Sequence, residues 1–149
     1  MDQESGQLII ETLKEEGIDM VVTLPEEPTF SLTEAIREDP YFTSLTVAAE
    51  GNGIALCAGA ALGQAAMAYG IPFLIMASYR GDIGDHSGIP GSQLMLFKQV
   101  AKPLLSTLRV PFCVVDKKSD LQRAIRDANF AAHDYSSPVV LLLTGEVLW

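Results

Sequence analysis

The sequence predicts a three-layer α/β/α domain around a mainly parallel sheet of about five strands, and three observations support this fold class. Short apolar runs alternate with amphipathic helical runs along the whole chain, as in parallel α/β proteins. The run FLIMAS at 73–78 is continuously apolar, which is typical of a strand buried on both faces. The length of 149 residues suits one domain with a sizeable core, so we expect 1–149 to form a single domain.

Each element follows from a local pattern. Leu8, Ile9, Thr12 and Leu13 share one face of the first helix, and Gly17 stops it. Pro103 is expected to kink or split a later helix, and Ser119 to cap the last one. The predicted helices are 3–16, 29–38 (capped by Thr29 or Ser31), 51–69, 92–108 and 119–133, and the predicted strands are 18–24, 41–49, 73–78, 110–115 and 138–143.

Composition and charge limit the classes of partner. The net charge of −9 argues against nucleic acid or an anionic membrane surface as the main ligand. No uncharged apolar run of about 18 residues predicts a membrane span, and the acidic start lacks a signal-peptide pattern. Cys57 and Cys113 lie in apolar runs without paired spacing, so we expect reduced, buried thiols and a cytoplasmic location.

Ligands of parallel sheets collect at the carboxyl ends of the strands. The segments there are Leu24-Pro25-Glu26, Ala49-Glu50-Gly51, Ser78 to Gly81 and Asp116-Lys117. Glu50 is a lone carboxylate between an apolar strand and a helix of small, uncharged residues. One interpretation is a carboxylate that favours the helix dipole. The other is a desolvated group with a raised pKa, ready for proton exchange or for a hydrogen bond to a ligand nitrogen.

Two common nucleotide-binding patterns are missing from the sequence. No GxGxxG follows the first strand, and no GxxxxGK[ST] occurs, so dinucleotide and P-loop sites lack support. The small residues after Glu50 indicate a helix that packs closely against the sheet or a second subunit.

The run TVAAEGNGIALCAGAALG at 46–63, followed by YGIPFLIMASYRGDIGD, resembles the pyrimidine-binding domain of thiamin diphosphate enzymes. More narrowly, it is similar to the family that contains the alpha subunit of sulfopyruvate decarboxylase and the matching half of phosphonopyruvate decarboxylase. In that family a strand ends in a glutamate followed by EGxGIxxxAGAxLAG, and a later strand ends in S-W/Y-RG. The opening EEGID and VVTLP also fit, so the resemblance covers nearly the whole chain.

The resemblance implies a catalytic role for Glu50, which would hydrogen-bond the N1′ nitrogen of the cofactor aminopyrimidine and favour its imino tautomer. Pro25 and Gly51 would also face the cofactor. Arg80 would bind a sulfonate, phosphonate or carboxylate of the substrate, for which a guanidinium is well shaped. The alternative for Arg80 is a surface ion pair with Asp82 or Asp85.

Two further loop residues are candidate substrate contacts. His86 could donate a proton or contact an anion, although a lone loop histidine is more often solvated. Glu26 occupies the loop after the first strand, where the family would have a small residue or cysteine, so this residue departs from the pattern.

Two larger departures bear on the cofactor. The segment GAALGQAAMAYGIP joins two parts of the pattern that the family separates by about 25 residues, including the turn QNSGLGN. No GDG with a downstream Asn is present to hold magnesium and diphosphate. The resemblance therefore implies a beta subunit that holds Mg²⁺ and the diphosphate, in a hetero-oligomer, and we predict no metal ligand in this chain.

The sequence thus predicts the alpha subunit of a thiamin diphosphate-dependent decarboxylase acting on a small anionic 2-oxo acid. Sulfopyruvate, converted to sulfoacetaldehyde and carbon dioxide in coenzyme M biosynthesis, is the leading substrate, and phosphonopyruvate is the second. One alternative is a non-catalytic α/β binding or assembly subunit that retains the fold. Another is a flavodoxin-like small-molecule binding domain unrelated to thiamin.

Overall fold

The computed structural model describes residues 1–49, 53, 70–79 and 94–148, with the backbone alone for 94–98. Helices and strands alternate as the sequence predicts, and the helix expected at 51–69 lies outside the described residues. The elements are α1 Gln3–Glu15, β1 Met20–Thr23, α2 Phe30–Glu38, β2 Thr43–Thr46, β3 Leu74–Ser78, α3 Leu94–Thr107, β4 Phe112–Val115, α4 Lys118–Tyr135 and β5 Val139–Leu143, with short 3-10 turns at Glu27–Thr29 and Gly145–Val147.

All strand pairings in the described part of the chain are parallel. β1 pairs with β2, with Met20 opposite Thr43 and Thr23 opposite Thr46. The other three strands form a second sheet in the order β3-β5-β4, so that β5 is central. The predicted parallel α/β class is therefore confirmed, and the five strands within the described residues are hydrogen-bonded as a pair and a triplet.

β5 separates two helical layers. Its side chains are all apolar and buried, and they alternate between the two faces of the sheet, as the period of two in a strand requires. Val139, Leu141 and Leu143 join the core formed with α1, α2 and α4. Val140 and Leu142 join a separate cluster that includes Ala101 and Leu105 of α3. The structure thus has the predicted three layers.

The larger core lies between α4 and α1. Leu121, Ile125, Ala128 and Ala132 are buried at helical spacing on α4. On α1 the buried face holds Ile9, Ile10 and Leu13, as well as Thr12, whose hydroxyl donates to the Leu8 carbonyl at 2.7 Å. Full burial of a large aliphatic side chain contributes roughly 1.5–3 kcal/mol, so this interface is a main source of stability.

Three helices end in the same hydrogen-bonding motif, with one residue in the left-handed region. After α1, Gly17 has φ 72°, and the Ile18 amide donates to the Leu13 carbonyl at 2.9 Å. Arg109 (φ 56°) after α3 and Ser136 (φ 50°) after α4 take the same position. These are Schellman motifs, in which glycine is preferred because a Cβ is strained at positive φ. Only Gly17 could be predicted from its residue type.

α3 runs through the exposed Pro103 as one helix, so the predicted split is absent. Two other local expectations are wrong. The residue before α4 is Lys117, without a side-chain cap, so Ser119 does not cap this helix. Cys113 is exposed because β4 is an edge strand of its sheet. Cys57 lies outside the described residues.

No helix in the described part of the chain is long and apolar enough to cross a membrane.

We expect Ser136→Gly to raise the free energy of unfolding by about 1 kcal/mol, because it removes the cost of a side chain in the left-handed region. Chemical denaturation measures the change. Ser137→Gly is the matched control, since Ser137 has no positive φ and glycine there adds only unfolded-state entropy. Equal effects of the two substitutions would contradict the assignment.

Asp2 links the start of α1 to the start of α4. Its Oδ1 accepts the Ser5 amide at 2.9 Å, and its Oδ2 lies 3.0 Å from the Lys118 ammonium. Burial raises the pKa of this carboxyl, but the hydrogen bonds from Ser5 and the Lys118 charge outweigh burial and lower the pKa to about 2. The ionised form is thus favoured by folding.

Because the folded pKa of Asp2 lies below its unfolded value, its stabilisation is present above about pH 4 and is lost as the pH falls toward 2. We expect Asp2→Asn to lower the free energy of unfolding by about 1 kcal/mol at pH 7, with the difference from wild type shrinking between pH 4 and 2. Denaturation at several pH values tests this. Glu4→Gln, at a side chain that is 84% exposed and 3.6 Å from Lys118, should change stability less.

Candidate functional site

The carboxyl ends of the two sheets meet through a side-chain hydrogen bond. Glu26 follows β1 after Leu24 and Pro25, and its Oε2 accepts the Ser78 hydroxyl at 2.9 Å. Ser78 is the last residue of β3. This bond joins residues 52 positions apart, so the ends of β1 and β3 border one region. In parallel sheets that edge is where ligands bind.

Glu26 is held by its backbone as well as by Ser78. Its backbone is extended (φ −142°, ψ 151°) and it precedes the 3-10 turn Glu27–Thr29. Thr29 Oγ1 lies 3.5 Å from Glu26 Oε1, at the limit of a hydrogen bond. The side chain is half-buried, whereas Pro25 is exposed. One carboxylate oxygen is therefore well bonded, and the other has only a weak partner at Thr29.

The residue after β3 is fixed in place. The Tyr79 amide donates to the Leu143 carbonyl at 2.7 Å, which extends the β3–β5 pairing by one residue. The Tyr79 side chain is only 2% exposed, and the Lys102 ammonium lies 5.2 Å from its ring centroid. This distance is within the range of a cation–π interaction. The chain thus leaves the sheet toward Arg80 from a well-anchored point.

The ends of β1 and β2 are also closely joined. The hydroxyls of Thr23 and Thr46 lie 3.2 Å apart, and the Val47 amide donates to the Thr23 carbonyl at 2.9 Å. The Gly53 amide donates to the Ala49 carbonyl at 3.2 Å, a bond of the helical i to i−4 type. Gly53, which lies within the predicted helix 51–69, is helical.

The ends of β4 and β5 approach each other at Gly145. This residue has φ +55°, and a Cβ built on it would lie 2.7 Å from the Asp116 carbonyl oxygen. The same oxygen accepts the Glu146 amide at 2.9 Å. Glycine is therefore required for the close turn that sets this part of the edge.

Only some of the predicted site residues can be placed. Pro25 and Glu26 are at the carboxyl-end edge, whereas Glu50, Gly51, Arg80 and His86 lie outside the described residues. The structure adds three residues to this edge that had no assigned role: Ser78 and Tyr79, which were quoted only as part of a motif, and Lys102. Lys102 carried no sequence signal, because it precedes Pro103 in a helix far along the chain.

The described edge carries charges of both signs. Glu26 and Asp116 put carboxylates after β1 and β4, whereas Lys117 also follows β4 and the Lys102 ammonium lies over the Tyr79 ring. In the described ranges, no three Asp, Glu, His or Cys side chains group closely enough to hold a metal ion. Glu50, the residue predicted to bond a pyrimidine nitrogen, directly follows Ala49 in sequence.

Comparison with known proteins supports the family that the motifs indicate. No family model matches the chain. The chain is 23% identical over 160 residues to the sulfopyruvate decarboxylase subunit alpha of Methanococcus maripaludis, and the match covers 93% of each chain. Because 93% of 149 residues is about 139, about 21 aligned positions have no residue of this chain. The chain is thus a distant relative of a decarboxylase subunit.

Gly145→Ala should lower the free energy of unfolding by about 2–3 kcal/mol, because alanine adds strain at positive φ and a clash with the Asp116 carbonyl oxygen. Thermal or chemical denaturation measures the loss. Gly6→Ala is the control, since a Cβ at Gly6 meets nothing within 4 Å and Gly6 lies inside α1, where alanine is favoured. Equal stability of the Gly145 variant and wild type would contradict the close turn.

Proposed function

We propose that the chain is the alpha subunit of a thiamin diphosphate-dependent 2-oxo acid decarboxylase. The observation that carries this proposal is the similarity to a sulfopyruvate decarboxylase alpha subunit over 93% of both chains. The leading reaction is sulfopyruvate to sulfoacetaldehyde and carbon dioxide, and phosphonopyruvate to phosphonoacetaldehyde is the second. The parallel α/β fold and the position of Glu50 after β2 support the same assignment.

Thiamin diphosphate supplies, when bound, the electron sink that decarboxylation of a 2-oxo acid needs. In the proposal, Glu50 holds a proton in a hydrogen bond to the pyrimidine N1′ nitrogen. A carboxylate among small, uncharged residues suits this task because a low dielectric strengthens the bond. Pro25 and Gly51 contribute backbone surface beside the ring.

Arg80 is the proposed contact for the sulfonate or phosphonate of the substrate. It directly follows Tyr79, whose amide and ring are fixed by Leu143 and Lys102. An anchored residue on the preceding side limits the positions that the guanidinium can take, which favours a defined anion site. His86 is a further proposed contact, in the same loop.

A partner subunit is proposed to hold the diphosphate and Mg²⁺. The described carboxyl-end edge combines the carboxylates of Glu26 and Asp116 with the lysines Lys102 and Lys117. The sequence has no GDG with a downstream Asn to hold Mg²⁺ and the diphosphate, so the proposal assigns both to a second subunit. The active site would then form between the subunits of a cytoplasmic hetero-oligomer.

Calorimetric titration of thiamin diphosphate with Mg²⁺ tests the proposal, on this chain alone, on the partner that contains GDG, and on their mixture. We expect saturable binding by the mixture and carbon dioxide release from sulfopyruvate. Glu50→Gln should lower the rate by at least about 100-fold, as expected for loss of a proton-transfer group. The matched control is Glu38→Gln, at an exposed residue that ends α2.

Two results would contradict the proposal. Absence of cofactor binding in every mixture would exclude a thiamin site. Complex formation unaffected by Glu50→Gln, with no carbon dioxide released from sulfopyruvate or phosphonopyruvate, would instead identify a non-catalytic assembly subunit. Comparing the two substrates on wild type also decides between sulfonate and phosphonate.

A further inference from the structure

We propose that Glu26 is a positioning residue that holds the carboxyl end of β3 through Ser78 and thereby sets where the chain leaves the sheet toward Arg80. The expected effect of this bond on substrate binding rests on the proposed function. It assigns Glu26 a role other than the direct substrate contact expected from its position in the sequence.

The geometry supports a hydrogen bond that acts between sheets. Glu26 lies beyond β1, which belongs to the two-stranded sheet, whereas Ser78 ends β3 of the three-stranded sheet. The distance of 2.9 Å is ordinary for a hydroxyl that donates to a carboxylate. Hydrogen bonds to a charged group contribute more than neutral ones, so this contact can hold two elements that no ladder joins.

Because Ser78 ends β3, its hydrogen bond to Glu26 affects the position of the residues that follow. Its neighbour Tyr79 is anchored by the bond from its amide to the Leu143 carbonyl and by the Lys102 ammonium over its ring. Arg80 follows immediately in sequence. Loss of the hydrogen bond to Ser78 would let the end of β3 move, and with it Tyr79 and Arg80. A shift of a binding group by even a fraction of an ångström weakens its contact with a ligand.

The charge of Glu26 argues against direct contact with the substrate. A 2-oxo acid with a sulfonate carries two negative charges, and a carboxylate nearby would repel it. Its Oε2 is directed to Ser78 and its Oε1 lies nearest Thr29. A carboxylate whose oxygens face protein hydroxyls has a structural use that needs no substrate contact.

Hydrogen exchange of the full chain tests the hydrogen bond directly. The reporter is the Tyr79 amide, and the internal reference is the Val140 amide, which donates to the Pro111 carbonyl at the opposite end of the same sheet. We expect exchange at Tyr79, relative to Val140, to become about tenfold faster in Glu26→Ala and in Ser78→Ala. The double variant should exchange no faster than either single variant.

Two matched variants separate the hydrogen bond from charge and from general destabilisation. Glu26→Gln keeps an oxygen acceptor for the Ser78 hydroxyl but loses the charge, so protection of Tyr79 should lie between that of wild type and that of Glu26→Ala. Glu27→Ala removes an exposed carboxylate one residue away and should leave the Tyr79 to Val140 ratio unchanged. An unchanged ratio in the two alanine variants, or loss of protection in Glu26→Gln equal to that in Glu26→Ala, overturns the proposal.

Kinetics of the assembled enzyme test the effect on substrate. We expect Glu26→Ala and Ser78→Ala to raise KM for sulfopyruvate about tenfold, with kcat reduced less than threefold, and Glu26→Gln to leave KM no higher than wild type. Faster Tyr79 exchange without a change in KM would make the bond purely structural and overturn the positioning role. If wild type releases no carbon dioxide, the proposed function fails, whereas the exchange result still reports on the bond itself.

Discussion

The domain depends on β5, a five-residue strand without a polar side chain, which is hydrogen-bonded on both edges and covered on both faces. Its pairing with β3 and β4 satisfies the backbone groups that burial would otherwise leave without partners. Its side chains alternate between the α4 side and the α3 side, so one strand contributes to both cores. The register of β3 and β4 on β5 places the last residues of both strands, Ser78 and Val115, beside Leu143 of β5.

The two-stranded sheet is attached by different means. Apolar side chains of both sheets, Val21 of β1 and Leu74 and Met76 of β3, pack against the larger core. Hydrophobic contacts of this kind are not directional, so they bring the sheets together without fixing the exact relation of their ends. The hydrogen bond from Ser78 to Glu26 is directional and lies at the edge where ligands of parallel sheets bind. Apolar packing thus holds the two sheets together, and the hydrogen bond between Ser78 and Glu26 fixes the relative position of the ends of β1 and β3.

Sequence patterns predicted the elements whose signals are local. The strand expected at 138–143 is observed as Val139–Leu143, and the glycine stop after α1 is observed at Gly17. Positive φ at Arg109 and Ser136 could not be predicted, because neither residue type prefers it and it accompanies the hydrogen bonds that end α3 and α4. The exposure of Cys113 depends on strand order, which a single strand's composition does not encode.

The candidate site was predictable to a different extent. That Glu26 departs from the family pattern was visible in the sequence, but its partner was not, since 52 residues separate it from Ser78. This pairing places a carboxylate beside a site proposed for a doubly anionic substrate and a diphosphate. Arg80 alone cannot balance these charges. In the proposal, the balance comes from Lys102 and Lys117 at the same edge of this chain and from Mg²⁺ and cations held by a second subunit.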